Sequence, residues 1–382
     1  MEAPFAWLNT AYTKLDRASP RPVYLQICDY IHQKILSNEL EGRLPSEREL
    51  AEAFKVERGT IRKALSTLVQ EQAVTKFPKI GYFVNTNLPR LHRKPLVGLL
   101  VSNIASPHFA ALAAEMQRAA SRLGVDLVFG NSDRKPANEV EYLRLFHHLE
   151  VAGVIMSPCA GESEETERAL QELLSANIPV VYVSYYRQTP QLDIVAVDSF
   201  RGTKMMVEYL AGIGHRRIGY AGRSSLLAED PRLRGYLQAV HDLSLDSDPQ
   251  LIQTGPSFGQ EAGYQAMDRL LKLKPRPTAV VAFDDLVALG AMQRLQKGGL
   301  RVPMDMTVAG FDNLDLSAHL SPPLTTVDSS VPAMAQTAIS LLFKRISGDK
   351  TDFPQTVLLE PSLVVRASSM PMVEQRSSSA AL

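Results

Sequence analysis

Pro45-Ser46-Glu47-Arg48-Glu49-Leu50-Ala51, then Val56-Glu57-Arg58-Gly59-Thr60-Ile61-Arg62-Lys63-Ala64-Leu65, then Lys79-Ile80-Gly81-Tyr82-Phe83-Val84 follow one another closely. Ser46 is an N-cap residue, and Glu49 three positions on completes a capping box, so a short helix starts here with Leu50, Ala51 and Phe54 on its core side. A second helix over 58–70 buries Ile61, Leu65 and Leu68, and 75–84 alternates well enough for a two-stranded wing with Gly81 at its tip. Upstream, Ile27, Tyr30, Ile31 and Ile35 mark an amphipathic helix from Val23 to about Ser37-Asn38. Three helices and a hairpin make a winged helix-turn-helix. A helix whose first turns carry Arg58, Thr60 and Arg62 suits a DNA major groove, with the hairpin beside the backbone.

Outward from this segment the texture changes twice. Residues 1–20 lack periodicity and are expected to form an irregular arm, although Trp7 and Tyr12 are large enough to dock. The winged helix-turn-helix is assigned to 21–87, and the polar, basic, proline-bounded stretch 88–95 reads as a linker. From 96 to 367, apolar runs at 96–101, 125–129, 153–156, 179–183, 194–197, 218–221, 279–283 and 307–311 alternate with helical patterns. The helical stretches are 108–123, 137–149, 163–176, 200–213, 232–243, 259–273, 285–298 and 331–347. Such alternation specifies parallel sheets covered on both faces, and this many units calls for two lobes. The fold class is therefore α/β behind a small helical head. The Ser- and Ala-rich tail, 368–382, is expected to be disordered.

The chain has 382 residues, enough for two or three domains, and balances 41 Lys/Arg against 41 Asp/Glu. The balance is uneven. Between Arg21 and Lys94 stand 13 Lys/Arg and 8 Asp/Glu, an excess of 5, so the remainder carries a matching deficit. A basic head on an acidic body is expected where one end meets phosphates. Cys28 and Cys159 are the two cysteines, far apart and without metal-ligand spacing, which fits buried small residues in a reducing compartment. The N-terminus carries Lys14, Asp16 and Arg17 without an apolar run, and no stretch is long enough to span a membrane, so a cytoplasmic protein is expected.

Residues 22–84 resemble the GntR-type winged-helix domain through Pro22-Val23-Tyr24, Gln26-Ile27, the Pro45–Ala51 motif, the Arg58–Leu65 motif and the wing ending in Phe83-Val84. Residues 96–367 resemble the LacI/GalR-type effector domain, itself similar to periplasmic sugar-binding proteins. That likeness rests on Val97-Gly98-Leu99-Leu100, Ser106-Pro107-His108-Phe109, 212–219, Arg232 with Gly235-Tyr236, and Asp285 with Ala288 and Gly290. The stretches 299–303, Gly310-Phe311-Asp312-Asn313 and 323–327 extend it. The combination is similar to that of arabinose-operon repressors of Gram-positive bacteria. It implies a two-lobed, periplasmic-binding-protein-like body with parallel sheets, a homodimer, an inverted-repeat operator in double-stranded DNA, and a small-molecule effector held between the lobes, with no further cofactor.

Arg58 and Arg62 lie one helical turn apart and share a face. Each can meet guanine O6 and N7 in bidentate fashion, giving roughly 1–3 kcal/mol of discrimination. Thr60 suits a phosphate or thymine methyl, and Gly59 permits close backbone approach. The resemblance adds Arg48 and Lys63 as phosphate or flanking-base contacts and Gly81 as the wing's groove contact. Glu57 departs from the family's Ser or Thr; its carboxylate favours a helix N-terminus but repels phosphate, or accepts from a cytosine amino group. Pro78 stands in the wing where glycine is common.

At the sensor end, the resemblance makes Phe109 an apolar wall with His108 a polar neighbour, aligns Arg232 and Asp285 with a charged pair that holds hydroxyl or carboxylate groups, and makes Phe258 a second aromatic wall. Asp198 either touches ligand or only caps the next helix. Tyr185 and Arg187 either reach an acidic group on the ligand or sit on the surface; Asp284 and Asn313 are further candidates. No nucleophile elbow, metal set or phosphate-cradling glycine loop points to an enzyme, and the aminotransferase-like bodies fused to some GntR heads would need a Schiff-base lysine after a strand. The expectation is a ligand-controlled transcription factor, a repressor released by a sugar or sugar derivative. The alternative is an effector that strengthens operator binding, or an activator.

Overall fold

The computed structural model describes residues 6–17, 19, 21–36, 39–40, 42–71, 73–77, 81–84, 95–159, 163–184, 192–223 and 230–371. Pro78, Tyr185, Arg187, the linker up to residue 94 and the tail from 372 lie outside them. The chain divides into two compact units, Met1–Arg93 and Lys94–Leu382.

In the first unit a 3-10 helix, Ala6–Lys14, precedes α1 (Val23–Leu36), α2 (Glu47–Phe54) and α3 (Arg58–Gln70). The wing pairs β1 (Val74–Phe77) with β2 (Gly81–Val84) antiparallel, Val74 facing Val84. The capping box is present: the Glu49 amide donates to Ser46 Oγ at 3.3 Å and the Ser46 amide to Glu49 Oε2 at 2.7 Å. That pairing satisfies two helix-start donors that would otherwise be orphaned. Lys55 then adopts φ 51°, a left-handed turn that stops α2 and sends the chain into α3 after two more residues. Ile27, Ile31, Leu50, Phe54, Ile61, Leu65 and Leu68 are fully buried in its core.

The N-terminal arm departs from the irregular segment expected of it. Trp7 and Ala11, four residues apart, are buried, and the Trp7 ring lies 6.0 Å from that of Tyr30, whose hydroxyl donates to the Trp7 carbonyl at 3.3 Å. A single turn of apolar surface is too short to show as periodicity, and packing supplies the order.

The second unit begins with β3 (Leu96–Val101), α4 (Pro107–Arg122), β4 (Asp126–Asn131), α5 (Pro136–His148), β5 (Gly153–Met156), α6 (Glu164–Ser175), β6 (Val180–Val183) and β7 (Asp193–Val197). It continues through α7 (Ser199–Gly212), β8 (Ile218–Arg223), α8 (Pro231–Asp242), β9 (Ile252–Gly255), α9 (Gly259–Leu270), β10 (Ala279–Ala282) and α10 (Asp285–Lys297). The last elements are β11 (Thr307–Asp312), α11 (Asp315–His319), β12 (Thr325–Asp328), α12 (Val331–Ile346), β13 (Thr356–Leu359) and β14 (Ser362–Val364).

Two six-stranded sheets result, in the orders β13-β7-β6-β5-β3-β4 and β14-β12-β11-β10-β8-β9, parallel except for β14 against β12. The first lobe takes back α12, which packs on α4 and β5–β7; the second takes α7, which packs on α8, β10, β12 and β14. The chain therefore passes between lobes three times: at Asp198, between Asp328 and Val331, and at 360–361. Three crossings thus join the two lobes. At α9 and α10 the backbones meet so closely that a Cβ on Gly263 or Gly290 would run into the opposite helix's carbonyl oxygen. This is the packing reason for glycine two residues after Ala288.

The tail boundary also shifts. Ser368 is fully buried, its Oγ donating to the Val308 carbonyl at 2.6 Å and accepting from the Thr325 amide at 2.8 Å, so the chain stays packed beyond 367. A short polar side chain saturated by backbone partners reads as a tail in sequence and as a stitch in the fold.

Candidate functional site

The first unit presents a cationic face built on α3. Arg58, Gly59, Arg62 and Lys63 are exposed along its first turns, Thr60 half-buried among them. Arg62 is held by Glu47, its Nη2 3.2 Å from Oε2, and Glu47 also accepts from the Tyr82 hydroxyl at 3.3 Å. One carboxylate thus ties α2, α3 and the wing together and orients the guanidinium. Lys63 Nζ sits 4.1 Å from the centre of the Tyr24 ring. Arg48 is exposed on α2, 3.9 Å from Glu52. Glu57 occupies the N-cap of α3, exposed and without a capping bond from its side chain.

The two glycines differ in kind. Gly81 has φ 130°, a conformation side chains rarely adopt, and lies over the Arg43 guanidinium, 3.3 Å from its Nε to a Cβ position. Gly59 has nothing within 4 Å of such a position, so nothing inside the protein demands glycine there. Arg43, which bridges the wing by pairing with Phe83, was not picked out from sequence.

The second unit brings its candidates together where the carboxyl ends of both sheets face one another. Arg232, in the first turn of α8, donates to the Phe283 carbonyl and, through Nη2, to Asp312 Oδ1 at 3.0 Å. Its guanidinium lies 3.9 Å from the Phe311 ring centre and 4.5 Å from that of Phe283. Burial works against its charge, but the carboxylates of Asp312, Asp284 and Asp230 outweigh that and hold it protonated. From the opposite lobe His108 shares a hydrogen bond with Ser184 Oγ at 2.9 Å, and its Nδ1 lies 3.8 Å from Asp312 Oδ1. Phe109 stacks edge-on against His108 at 5.2 Å. At the rim, the Arg134 guanidinium of the first lobe lies 4.4 Å over the Phe258 ring of the second.

Asp285 is not part of this surface. It is fully buried, with Oδ2 accepting from the Leu314 amide at 2.8 Å and Ser317 Oγ at 2.6 Å, and Oδ1 from Thr326 Oγ1 at 2.6 Å. Desolvation pushes its pKa up to about 7. The carboxylate pairs with loops beneath the cleft, leaving no atom for a ligand. The acid that faces Arg232 is Asp312, legible only as a member of the Gly310–Asn313 stretch. Its φ of 103° is a strained conformation, which costs on the order of 1–3 kcal/mol and is typical of residues held for function. Asn313 is engaged by Arg366 at 2.7 Å. Asp198 caps α7, accepting from the Arg201 amide at 2.9 Å at the first crossing; Asp284 likewise caps α10 through the Val287 amide at 2.7 Å.

Elsewhere, Cys28 and Cys159 are buried free thiols, and burial raises both to about 12. Among the described residues no group of His, Cys, Asp or Glu is placed to hold a metal ion, and no helix is long and apolar enough to cross a membrane.

Comparison with known proteins agrees with this geometry. Residues 23–84 match the model of bacterial regulatory proteins of the gntR family, and 207–369 match that of the periplasmic binding protein-like domain. The HTH-type transcriptional repressor PurR of Actinobacillus pleuropneumoniae serotype 3 is 33% identical over 274 residues, covering 71% of this chain and 80% of the relative. The HTH-type transcriptional regulator DegA of Bacillus subtilis is 30% identical over 312 residues, covering 81% and 91%. The crystal structure of transcription regulator GntR from Chromobacterium violaceum superposes with a TM-score of 0.64 at 26% identity, over 72% of this chain and 99% of that one.

A gntR-family winged-helix head and a body with a two-lobed cleft define an effector-controlled, DNA-binding transcription regulator, and the relatives are regulators rather than enzymes. The chain belongs to the family of PurR and the LacI-type regulators, with a gntR-family head in front of the shared effector body.

Proposed function

We propose that this regulator is a homodimeric repressor whose hold on an operator is released when a sugar or sugar derivative closes the two lobes. The observation that carries the ligand class is the Arg232–Asp312 pair, a donor and an acceptor fixed 3.0 Å apart in a desolvated floor with aromatic rings around it. Vicinal hydroxyls are matched by a donor beside an acceptor, and the aliphatic face of a sugar ring is matched by Phe258 at the rim. His108 and Ser184 supply polar contacts from the other lobe. On the DNA side, Arg58 and Arg62 read base edges, while Arg48, Lys63, Gly59, Thr60 and the Gly81 turn approach the backbone. Two-fold symmetry of a dimer then requires inverted half-sites.

The test combines a thermal-shift screen of monosaccharides and phosphosugars with a gel shift on DNA upstream of the regulator's own gene. A carbohydrate that raises the melting temperature and frees the DNA is the expected result; one that tightens the DNA complex reverses the sign to co-repression. Absence of any carbohydrate shift sinks the ligand class, and undiminished specific binding by Arg58→Ala sinks the groove assignment.

A further inference from the structure

We propose that the segment ahead of α1 is an additional DNA-contacting element, gripping the sugar-phosphate backbone beside the bases that α3 reads. The proposal rests on the reading that α3 enters a major groove. The gntR-family match begins at residue 23, so 6–17 lies wholly outside it. The segment is nonetheless built into the head. Its inner side is Trp7 and Ala11, buried against Tyr30 and the rest of the core. The Gln26 side chain clamps its end, accepting from the Asp16 amide and donating to the Asp16 carbonyl, each at 2.9 Å, and donating to the Arg21 carbonyl at 2.9 Å.

Its outer side carries exposed Lys14 and Arg17 and meets Lys55 at the turn after α2. Tyr12 is exposed, with the Lys55 ammonium 4.3 Å and the Arg17 guanidinium 5.4 Å from its ring centre. Arg17 Nη2 donates to the Lys55 carbonyl at 2.8 Å, which fixes the arm to the turn between α2 and α3. Lys55 stands three residues before Arg58, so the patch begins within about 10 Å of chain from the recognition helix. Phosphates recur about every 3.4 Å along one strand of the duplex axis, so that reach spans the groove edge. Arg48 and Arg62 already lie beside Glu52 and Glu47, whereas Lys14, Arg17 and Lys55 form no ion pair with a carboxylate among the described residues. Asp16 is the acid among the described residues of the arm, and Glu57 stands at the N-cap of α3, so Lys14, Arg17 and Lys55 outnumber them three to two. An aromatic ring holding two cations in place lowers the ordering cost of meeting a phosphate.

The experiment uses the full chain and the duplex it protects in footprinting, with Kd measured between 50 and 200 mM salt. The triple variant Lys14→Gln, Arg17→Gln, Lys55→Gln is expected to flatten the slope of log K against log salt by about 0.9 for each phosphate it no longer neutralises. Operator and random duplex should weaken alike. Arg58→Ala, by contrast, should collapse the ratio of operator to random binding with little change of slope. Trp7 is the only tryptophan, so its emission reports whether the arm stays docked. An unchanged slope in the triple variant, with Arg58→Ala still losing specificity, overturns this proposal and leaves the groove reading standing. Full specificity retained in Arg58→Ala overturns the groove reading instead. Arg17→Lys keeps the charge but loses the guanidinium fork; a slope lost there as fully as in Arg17→Gln marks a merely structural tether and also overturns the proposal.

Discussion

Replacing Asp285 separates two readings of the same residue. If it held ligand, its loss would abolish the effector response and leave folding intact; as a buried knot beneath the cleft, it should do the reverse. Asp285→Ala strands three donors in the interior: the Leu314 amide, Ser317 Oγ and Thr326 Oγ1. An unsatisfied buried donor costs about 1–3 kcal/mol, and the hydroxyls can turn elsewhere while the amide cannot, so about 3–5 kcal/mol in total is expected. Asp285→Asn keeps an oxygen for Leu314 and Ser317 and turns its amide toward the Thr326 hydroxyl, so it should cost about 1 kcal/mol or less.

The pH dependence sharpens the test. A carboxyl moved from its ordinary range to about 7 binds its proton more tightly in the folded state. Its contribution is therefore full below about pH 4 and lost as pH rises to 7, worth about 4 kcal/mol at 1.36 kcal/mol per pH unit. His215 opposes it. Burial lowers that imidazole to about 4, so its contribution is full above about pH 6.5 and lost on acidification, worth about 3 kcal/mol. The two slopes oppose one another in the native chain between about pH 4 and 6.5. Urea unfolding of the effector unit at several pH values should show Asp285→Asn gaining stability relative to the parent as pH rises from about 4 to 7. An Ala variant within 1 kcal/mol of the parent, or an Asn variant that folds normally but no longer binds effector, refutes this reasoning.

Asp312→Asn should leave operator affinity intact while weakening effector binding at least tenfold by calorimetry, because Arg232 loses the charge that orients it; undiminished affinity would remove the pair from the site. Arg62→Ala should lower operator affinity by about 1–3 kcal/mol with an unchanged melting temperature, since its partner Glu47 stays exposed enough to hydrate and keeps Tyr82. Trp7→Ala should destabilise the head by about 3 kcal/mol, measured by denaturant unfolding, with the effector unit's transition unmoved.

The head was almost wholly readable from the chain. Its three helices carry apolar spacing, α2 also carries its capping box, and α3 runs over 58–70 as the pattern indicates. The body's strands were found where they coincide with an apolar run. Those missed are β9, β13 and β14, which are half-exposed, with β13 alternating between exposed and half-buried positions, and β12, which is buried but reads Thr325-Thr326-Val327-Asp328. The arm escaped because one turn of packing leaves no periodic trace.

Local order and the α/β alternation were settled by sequence, since caps and side-chain spacing act over a few residues. Which acid faces Arg232 was decided by the tertiary structure alone. Asp284, Asp285 and Asp312 all stand at strand ends and look alike along the chain. The register that pairs β11 with β12, Asp312 beside Asp328, and the loop that closes over Asp285 bury one carboxylate among donors and present another to a guanidinium 80 positions away. Desolvation then gives chemically identical groups opposite tasks.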